Sequence, residues 1–230
     1  MANLCIIPAR GKSKRIPRKN IKDFFGKPII AYSIQAAIDS NLFDEIMVST
    51  EDSEIAKIAK QYGAKIPFLR SKKNADDFAT TFDVIQEVLR GYKLKGNAFK
   101  NVCCIYPCAP LVTINYLKNG LKTLIDNKYD SVFPVMVFNF PIQRALRLKE
   151  NNKVEMFYNQ YLNSRSQDLE KSYHDAGQFY WMNVDSVMRE NRIITSNSGS
   201  IIISEMEGQD IDDKSDWKLA EIKYKILHGI

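Results

Sequence analysis

Seven basic residues and no acid lie between Arg10 and Lys22 of this 230-residue chain: Arg10, Lys12, Lys14, Arg15, Arg18, Lys19 and Lys22. The formal charge of the whole chain is +6, so the remainder sums to −1 (6 − 7) and the excess cation belongs to one segment. A single cationic loop containing one glycine, Gly11, and one hydroxyl, Ser13, suits a compact anion such as a polyphosphate better than a nucleic-acid track. A solvated basic loop would have the same charge, and charge alone does not separate the two. The segment matches neither the dinucleotide pattern G-x-G-x-x-G nor the G-K-[ST] of a P-loop, so neither a dehydrogenase nor a P-loop ATPase is supported. Far along the chain, Gln209-Asp210-Ile211-Asp212 alternates in strand fashion, which aims both carboxylates to one side. Two hard oxygen anions aimed together suit Mg²⁺ held against a phosphate. The same residues also read as a capping turn ahead of Trp217. Arg70 reads as a surface residue after a strand, and His174, taken alone, as a structural histidine.

These groups need a frame to bring them together. Leu4–Pro8 is a short apolar run typical of a fully buried strand. A helical pattern follows over 27–40 with Pro28 in its first turn, then a strand over 45–50. A helix over 53–62 is stopped by Gly63. A short strand is expected over 65–69, a helix over 80–92, a strand over 101–106, a helix over 113–127 and a strand over 130–137. Strands and helices alternating at this spacing give an α/β fold with a mainly parallel sheet covered on both faces. In such folds ligands bind beyond the carboxyl ends of the strands, which is where the basic loop falls. The alternation breaks over 138–173, which is polar and irregular; so long an irregular stretch is usually functional or an interaction element. Strands over 178–183 and 200–204 and an amphipathic helix over 215–227 complete the chain. The expectation is one domain, 1–230, with an inserted arm at about 138–175.

Composition excludes several classes. With 45% hydrophobic, 11% aromatic and 26% charged residues, the chain has a globular composition and is not disordered. No apolar run approaches about 18 residues, so no membrane span is expected. The opening Met1-Ala-Asn-Leu-Cys-Ile-Ile-Pro8 lacks a basic region and a small-residue cleavage site, so it is not read as a signal peptide and a cytoplasmic location is expected. Cys5, Cys103, Cys104 and Cys108 lie in or beside strand-like runs without zinc spacing, and are expected to be buried thiols, with Cys103 and Cys104 on opposite faces.

Ile6-Ile7-Pro8-Ala9-Arg10, then Ser13-Lys14 through Lys19-Asn20, resembles the first signature of the sugar-activating nucleotidyltransferases, specifically the CMP-nonulosonic acid synthetases (acylneuraminate cytidylyltransferases). Lys12 stands where that family has a second glycine, and so needs an ordinary φ. Phe43-Asp44 through Val48-Ser49-Thr50-Glu51-Asp52 is similar to the family's second segment. Pro67-Phe68-Leu69-Arg70 with Ala75-Asp76-Asp77 and Thr80-Thr81 is similar to its third. Tyr106-Pro107-Cys108-Ala109-Pro110-Leu111 occupies the place of Q-P-T-S-P-L, with Tyr106 replacing a glutamine that contacts substrate in sialate members. Phe140 through Leu148, Ser164 through Glu170 and Tyr173 through Trp181 resemble the pseudaminic acid cytidylyltransferase subfamily.

The resemblance implies a Rossmann-like nucleotidyltransferase fold in which CMP passes from CTP to the anomeric hydroxyl of an acidic nine-carbon sugar, pseudaminic acid first, with release of pyrophosphate. N-acetylneuraminic, legionaminic or another keto-acid sugar is the nearest alternative. It assigns Ala9, Arg10, Gly11, Ser13, Lys19, Asn20, Arg70 and Thr81 to the nucleotide, and Arg10, Lys19 and Asp210 to catalysis. Asp210 and Asp212 are assigned to Mg²⁺. Tyr106, Gln143, Arg144, Arg165, His174 and Gln178 are assigned to the sugar. A homodimer through the arm and a role in bacterial surface or flagellin glycosylation are also implied, with no nucleic-acid or membrane partner. A non-catalytic RNA- or membrane-binding module is the remote rival, disfavoured because the basic residues are not interleaved with aromatics.

Overall fold

The computed structural model describes residues 2–230; Met1, with which the leader reading begins, lies outside them. The strands are β1 (Asn3–Pro8), β2 (Asp23–Phe24), β3 (Lys27–Pro28), β4 (Glu45–Ser49), β5 (Asn101–Ile105), β6 (Ser131–Val137), β7 (Leu146–Leu148), β8 (Val154–Met156), β9 (Tyr173–Asp175), β10 (Phe179–Asn183) and β11 (Ser198–Ile202). The helices are α1 (Ile30–Ser40), α2 (Ser53–Gln61), α3 (Thr81–Leu94), α4 (Ile114–Asp126), α5 (Val184–Glu190) and α6 (Lys214–His228).

Seven strands form the central sheet, in the order β11-β6-β10-β5-β1-β4 with β9 added beside β6. Strands β4, β1, β5, β6 and β11 run parallel, while β9 and β10 run against them. The sheet has helices on both faces because the apolar strands alternate their side chains between two cores. Cys5, Ile7 and Cys103 pack with Ile30 and Ile34 of α1, Ile55 of α2 and Leu117 of α4. Leu4, Ile6 and Cys104 face the other way, onto Ile85 and Val88 of α3 and Val187 of α5. Cys103 and Cys104 thus take opposite faces, as expected, and all four cysteines are buried and free. Gly63 stands just past α2 at φ 96°, the left-handed conformation that ends a helix.

Several expectations are corrected. Pro28 does not open α1; it pairs with Asp23 in the β2–β3 hairpin, and α1 starts at Ile30. The strand expected over 65–69 reduces to one parallel bridge, Met47 with Lys65, and Pro67, which has no N–H to donate, follows two residues on. The short helix α5 and the β7–β8 hairpin were not foreseen. Among the described residues no helix is long and apolar enough to cross a membrane.

A third, smaller cluster matters most for the site. Ile16 from the basic loop, Ile211 from between the two aspartates, Cys108, Phe24 and Trp217 and Ala220 of α6 are buried together. Burial of these few apolar groups docks the loop after β1 against a segment nearly 200 residues away in sequence.

Candidate active site

The carboxyl ends of β1 and β5 open on a cavity of about 650 Å³. Its basic wall is the loop after β1, and that loop is pinned from outside. The Gly11 amide donates to Glu51 Oε1 at 2.7 Å, and a Cβ on Gly11 would lie 2.5 Å from Asp52 Oδ2, so only glycine fits. Arg18, in the left-handed region at φ 56°, donates to both Asp52 oxygens at 2.6 and 3.1 Å and to Glu54 at 2.5 Å. Asp52 also caps α2, accepting from the amides of Glu54 and Ile55. The Arg18 guanidinium holds the Asp52 carboxyl below the usual carboxylate range. Lys12 keeps φ outside the left-handed region, as its departure from the family pattern requires.

Inside the cavity Arg10, Lys14, Arg15 and Lys19 face carboxylates. Arg10 donates to the Asp76 carbonyl at 3.0 Å and to Asp77 Oδ1 at 2.8 Å, and Lys14 reaches Asp77 Oδ2 at 2.5 Å. Lys14 first, and then Arg10, hold the Asp77 carboxyl below its ordinary range. Arg15 pairs with Asp212 at 2.8 Å, and Lys19 donates to the Ile211 carbonyl and stands 4.0 Å from Asp212. The arrangement is charge-matched to a metal–triphosphate: phosphate oxygens can replace Asp77 on Arg10 and Lys14, and a divalent cation can replace Arg15 on Asp212.

Asp210 and Asp212 both line the cavity while Ile211 between them is buried. The segment is not the strand expected from its alternation; it is irregular chain ahead of α6. Helix capping falls to the next residue, Asp213, in a capping box with Asp216, which leaves the side chains of Asp210 and Asp212 facing the cavity. Partial desolvation, then the charge of Asp212, push the Asp210 carboxyl up, with Asp175 and Asp216 adding and Lys19 opposing. An oxygen pair carrying that excess of negative field fits a divalent cation. Among the described residues no third His, Cys, Asp or Glu joins the pair to complete a metal cluster, so phosphate oxygens and water would supply the other ligands.

The opposite wall is less charged. Arg70 is 7% exposed and is fixed by donating to Ser49 Oγ at 3.0 Å and the Ser49 carbonyl at 2.6 Å. Burial lowers its pKa. Thr81 Oγ1 and the Tyr106 hydroxyl share a hydrogen bond of 3.1 Å, at the start of α3, which Thr80 and Asp83 cap reciprocally. Burial raises the Tyr106 phenol. Ser13 also lines the cavity. Asn20 lines it too, with its Nδ2 donating to the Arg10 carbonyl at 2.8 Å, whereas Ala9 does not, its amide being committed to the Ser49 carbonyl at 2.9 Å. Cys108 donates to Asn20 Oδ1, and burial pushes its thiol up to about 12, so it is no nucleophile at neutral pH.

Of the residues assigned to the sugar, only Tyr106 lines this cavity. Gln143 donates to the Glu170 carbonyl at 2.9 Å, Arg144 to Ser166 Oγ at 3.4 Å, and Arg165 pairs with Asp168 at 2.7 Å, all on the 138–172 segment. His174 Nδ1 lies 2.9 Å from the Asp175 carbonyl oxygen, with the ring beside Phe138. Gln178 is 1% exposed and donates to the Glu207 carbonyl at 2.5 Å.

Two cavity residues lie in the segments quoted from the sequence but were given no role there. Asp77 joins the Arg10 and Lys14 pairing, and Gly177, at φ 64°, lies where a Cβ would come 3.0 Å from Asp210. Asp175 fixes that turn, accepting from the Gly177 amide at 2.8 Å and from the Tyr180 hydroxyl at 2.6 Å. The Asp-x-Gly spacing was available as a turn signal.

A charge-matched cavity at the strand ends of a mainly parallel, helix-covered sheet is the arrangement of a nucleotide-transferring enzyme. The chain belongs to the cytidylyltransferase family, whose model, described as "Cytidylyltransferase", matches residues 4–203. It is 46% identical to a pseudaminic acid cytidylyltransferase of Campylobacter jejuni (strain 81-176) over 99% of this chain and 98% of that one. It is 32% identical to N-acylneuraminate cytidylyltransferase A of Danio rerio, over 94% of this chain and 49% of that protein. The solved CMP:2-keto-3-deoxy-manno-octonic acid synthetase complexed with CTP covers 100% of both chains at a TM-score of 0.72 and 15% identity, a likeness of fold.

Proposed function

We propose that the protein transfers CMP from CTP to the anomeric hydroxyl of pseudaminic acid and releases pyrophosphate. The cavity carries this reading: it gathers Arg10, Lys14 and Lys19 opposite Asp210 and Asp212 at the strand ends. The full-length likeness to an enzyme named for pseudaminic acid, at 46% against 32% for the acylneuraminate enzyme, supports the choice of sugar.

Phosphoryl transfer of this kind is mainly positioning and electrostatics. Arg10 and Lys19, with Lys14, would hold the triphosphate and offset charge on the leaving pyrophosphate. Arg70, already oriented by Ser49, and Thr81 would present a fixed guanidinium and hydroxyl to the pyrimidine edge. Asp210 and Asp212 would hold Mg²⁺, which supplies Lewis-acid polarisation of the α-phosphate and lowers the pKa of a nearby hydroxyl. Tyr106, hydrogen-bonded to Thr81, stands where the sugar would meet the nucleotide.

The arm residues Gln143, Arg144, Arg165 and His174 lie outside this cavity, and the arm exposes apolar side chains including Phe140 at 85% and Leu148 at 77%. This supports a reading in which residues 1–230 form one catalytic domain and the arm joins a second copy in a cytoplasmic homodimer. Convergence of the cations on a cavity, paired with carboxylates, speaks against an RNA- or membrane-binding module.

The test is pyrophosphate release from CTP and Mg²⁺ with pseudaminic acid and N-acetylneuraminic acid in parallel. Turnover with pseudaminic acid alone is expected. Turnover with N-acetylneuraminic acid alone would keep the reaction and overturn the sugar, and none with either or with other keto-acid sugars would overturn the enzyme reading.

A further inference from the structure

The segment 204–213 carries both cavity aspartates, yet it contains no strand and only one short turn of 3₁₀ helix, Glu205–Glu207. A buried lysine holds it. Lys223 lies on the inner face of α6 with Trp217 and Ala220 and is 6% exposed. Its Nζ donates to the Glu205 carbonyl at 2.8 Å, the Gly208 carbonyl at 2.8 Å and Gln209 Oε1 at 3.0 Å. An ammonium has three N–H donors, and all three go to this one short stretch. The hydrogen-bonded partners are neutral oxygens, and of the carboxylates only the nearby charge of Glu205 offsets part of the desolvation; an apolar side chain of similar volume would be buried there at less cost. The ammonium is accounted for by its three bonds.

The neighbours confirm a held loop. Gln178 and Tyr116 donate to the Glu207 carbonyl and carboxylate, at 2.5 and 2.6 Å. A Cβ on Gly208 would come 2.6 Å from Met136 Sδ, so the backbone sits directly on the sheet. Asp210 follows Gln209 immediately, and Lys19 grips the Ile211 carbonyl from the cavity side.

We propose that Lys223 is a positioning residue for the aspartate pair: by tying residues 205–209 to α6 it sets where Asp210 and Asp212 stand, although it does not line the cavity. The proposal rests on the cytidylyltransferase reading and on the two aspartates as ligands of the divalent cation.

The test compares Lys223→Met, Asp212→Asn and the unmodified protein. Mn²⁺ alone is titrated and free ion followed by electron paramagnetic resonance, with hydrogen exchange over 204–213 and steady-state kinetics alongside. Lys223→Met is expected to weaken Mn²⁺ about tenfold and lower kcat similarly, as loss of supporting contacts around metal ligands does, with KM for CTP within about twofold. Protection is expected to fall over 204–213 and not in the sheet. A folded Lys223→Met protein with unchanged Mn²⁺ affinity, while Asp212→Asn binds weakly, overturns the positioning role alone. Unchanged Mn²⁺ affinity and turnover in Asp212→Asn overturns the aspartate reading beneath it. Should Lys223→Met fail to fold, Gln209→Ala removes one of the three acceptors: Mn²⁺ weakened about threefold supports the proposal, and unchanged affinity overturns it.

Discussion

The cavity at the strand ends and the arm over 138–172 are built in opposite ways. In the cavity nearly every cation has a carboxylate or carbonyl partner from a distant part of the chain, and a small apolar cluster of Ile16, Ile211, Cys108 and Trp217 locks the parts together. The arm is held by local bonds: Arg165 with Asp168, Arg147 and Lys149 with Glu155, and the three-residue strands β7 and β8. Its large apolar side chains, Phe140, Leu146, Leu148 and Phe157 among them, face outward. A region that exposes such residues gains its stability from something it covers or that covers it. The cavity is therefore preorganised by contacts across the chain, whereas the arm is held locally and leaves its large apolar side chains exposed, which is why we propose that it joins a second copy.

The sharpest way to break the comparison is to disarm the preorganised part. Asp212→Ala should lower turnover by about 100-fold or more, the scale of losing one electrostatic element of a transfer site. The melting transition should stay within a few degrees, because Asp212 is partly exposed and caps nothing. Pyrophosphate release with a parallel circular-dichroism melt checks both, and unchanged turnover would remove Asp212 from the site.

The arm should respond differently. Phe140→Asp with Phe157→Asp places two charges on the outward apolar face. For the proposed homodimer the expected result is association weakened by about 30-fold or more, the effect of losing an interface hot spot, with CTP affinity changed less than about twofold. Sedimentation velocity and nucleotide titration separate the two outcomes. A sedimentation coefficient that does not move would mean the apolar face serves something other than a second copy.

The same contrast explains what could be read in the chain itself. The alternating strands and helices and the basic loop are local patterns, and these survive translation into structure: β1, β4, β5 and β6 stand within a residue or so of their expected bounds. What local pattern does not carry is pairing across the chain. Seven cations without an acid read as a free cationic loop, but folding supplies Asp77, Asp52, Glu54 and Asp212 from elsewhere. The antiparallel course of β10 was likewise hidden, since buried strands of either direction have the same apolar composition. Lys223 did leave a trace: at three-residue spacing from Trp217 and Ala220 it falls on the buried stripe of α6, where a lysine is out of place.

A smaller effect probes the turn beside the aspartates. Gly177 has φ 64°, and a methyl group there would stand 3.0 Å from Asp210. Gly177→Ala should cost about 1 kcal/mol from the left-handed backbone, seen as a melting temperature lower by about 2–4 °C. Because the same methyl group pushes on Asp210, kcat should fall several-fold, a drop that a purely local strain would not give. Thermal melts and kcat measured on one preparation distinguish them.

The smallest expected effect has an unusual sign. Partial desolvation, followed by the neighbouring charge of Asp212, raises the Asp210 carboxyl above its unfolded value. A group raised on folding stabilises while protonated, and that contribution is lost as pH rises through the folded pKa. In metal-free protein the ionised Asp210 is therefore a liability at neutral pH that Asp210→Asn does not share. The variant should melt about 1–2 °C higher than the unmodified protein at pH 7.5 in EDTA, and the gap should narrow toward pH 4.5. Mn²⁺ should raise the melting temperature of the unmodified protein and leave that of the variant nearly in place, since the cation then finds its charge partner only in the former. A variant that melts lower in EDTA at pH 7.5 would mean that Asp210 is held by contacts of its own and is not strained toward a cation, and the division between a preorganised cavity and an exposed arm would lose its clearest thermodynamic mark.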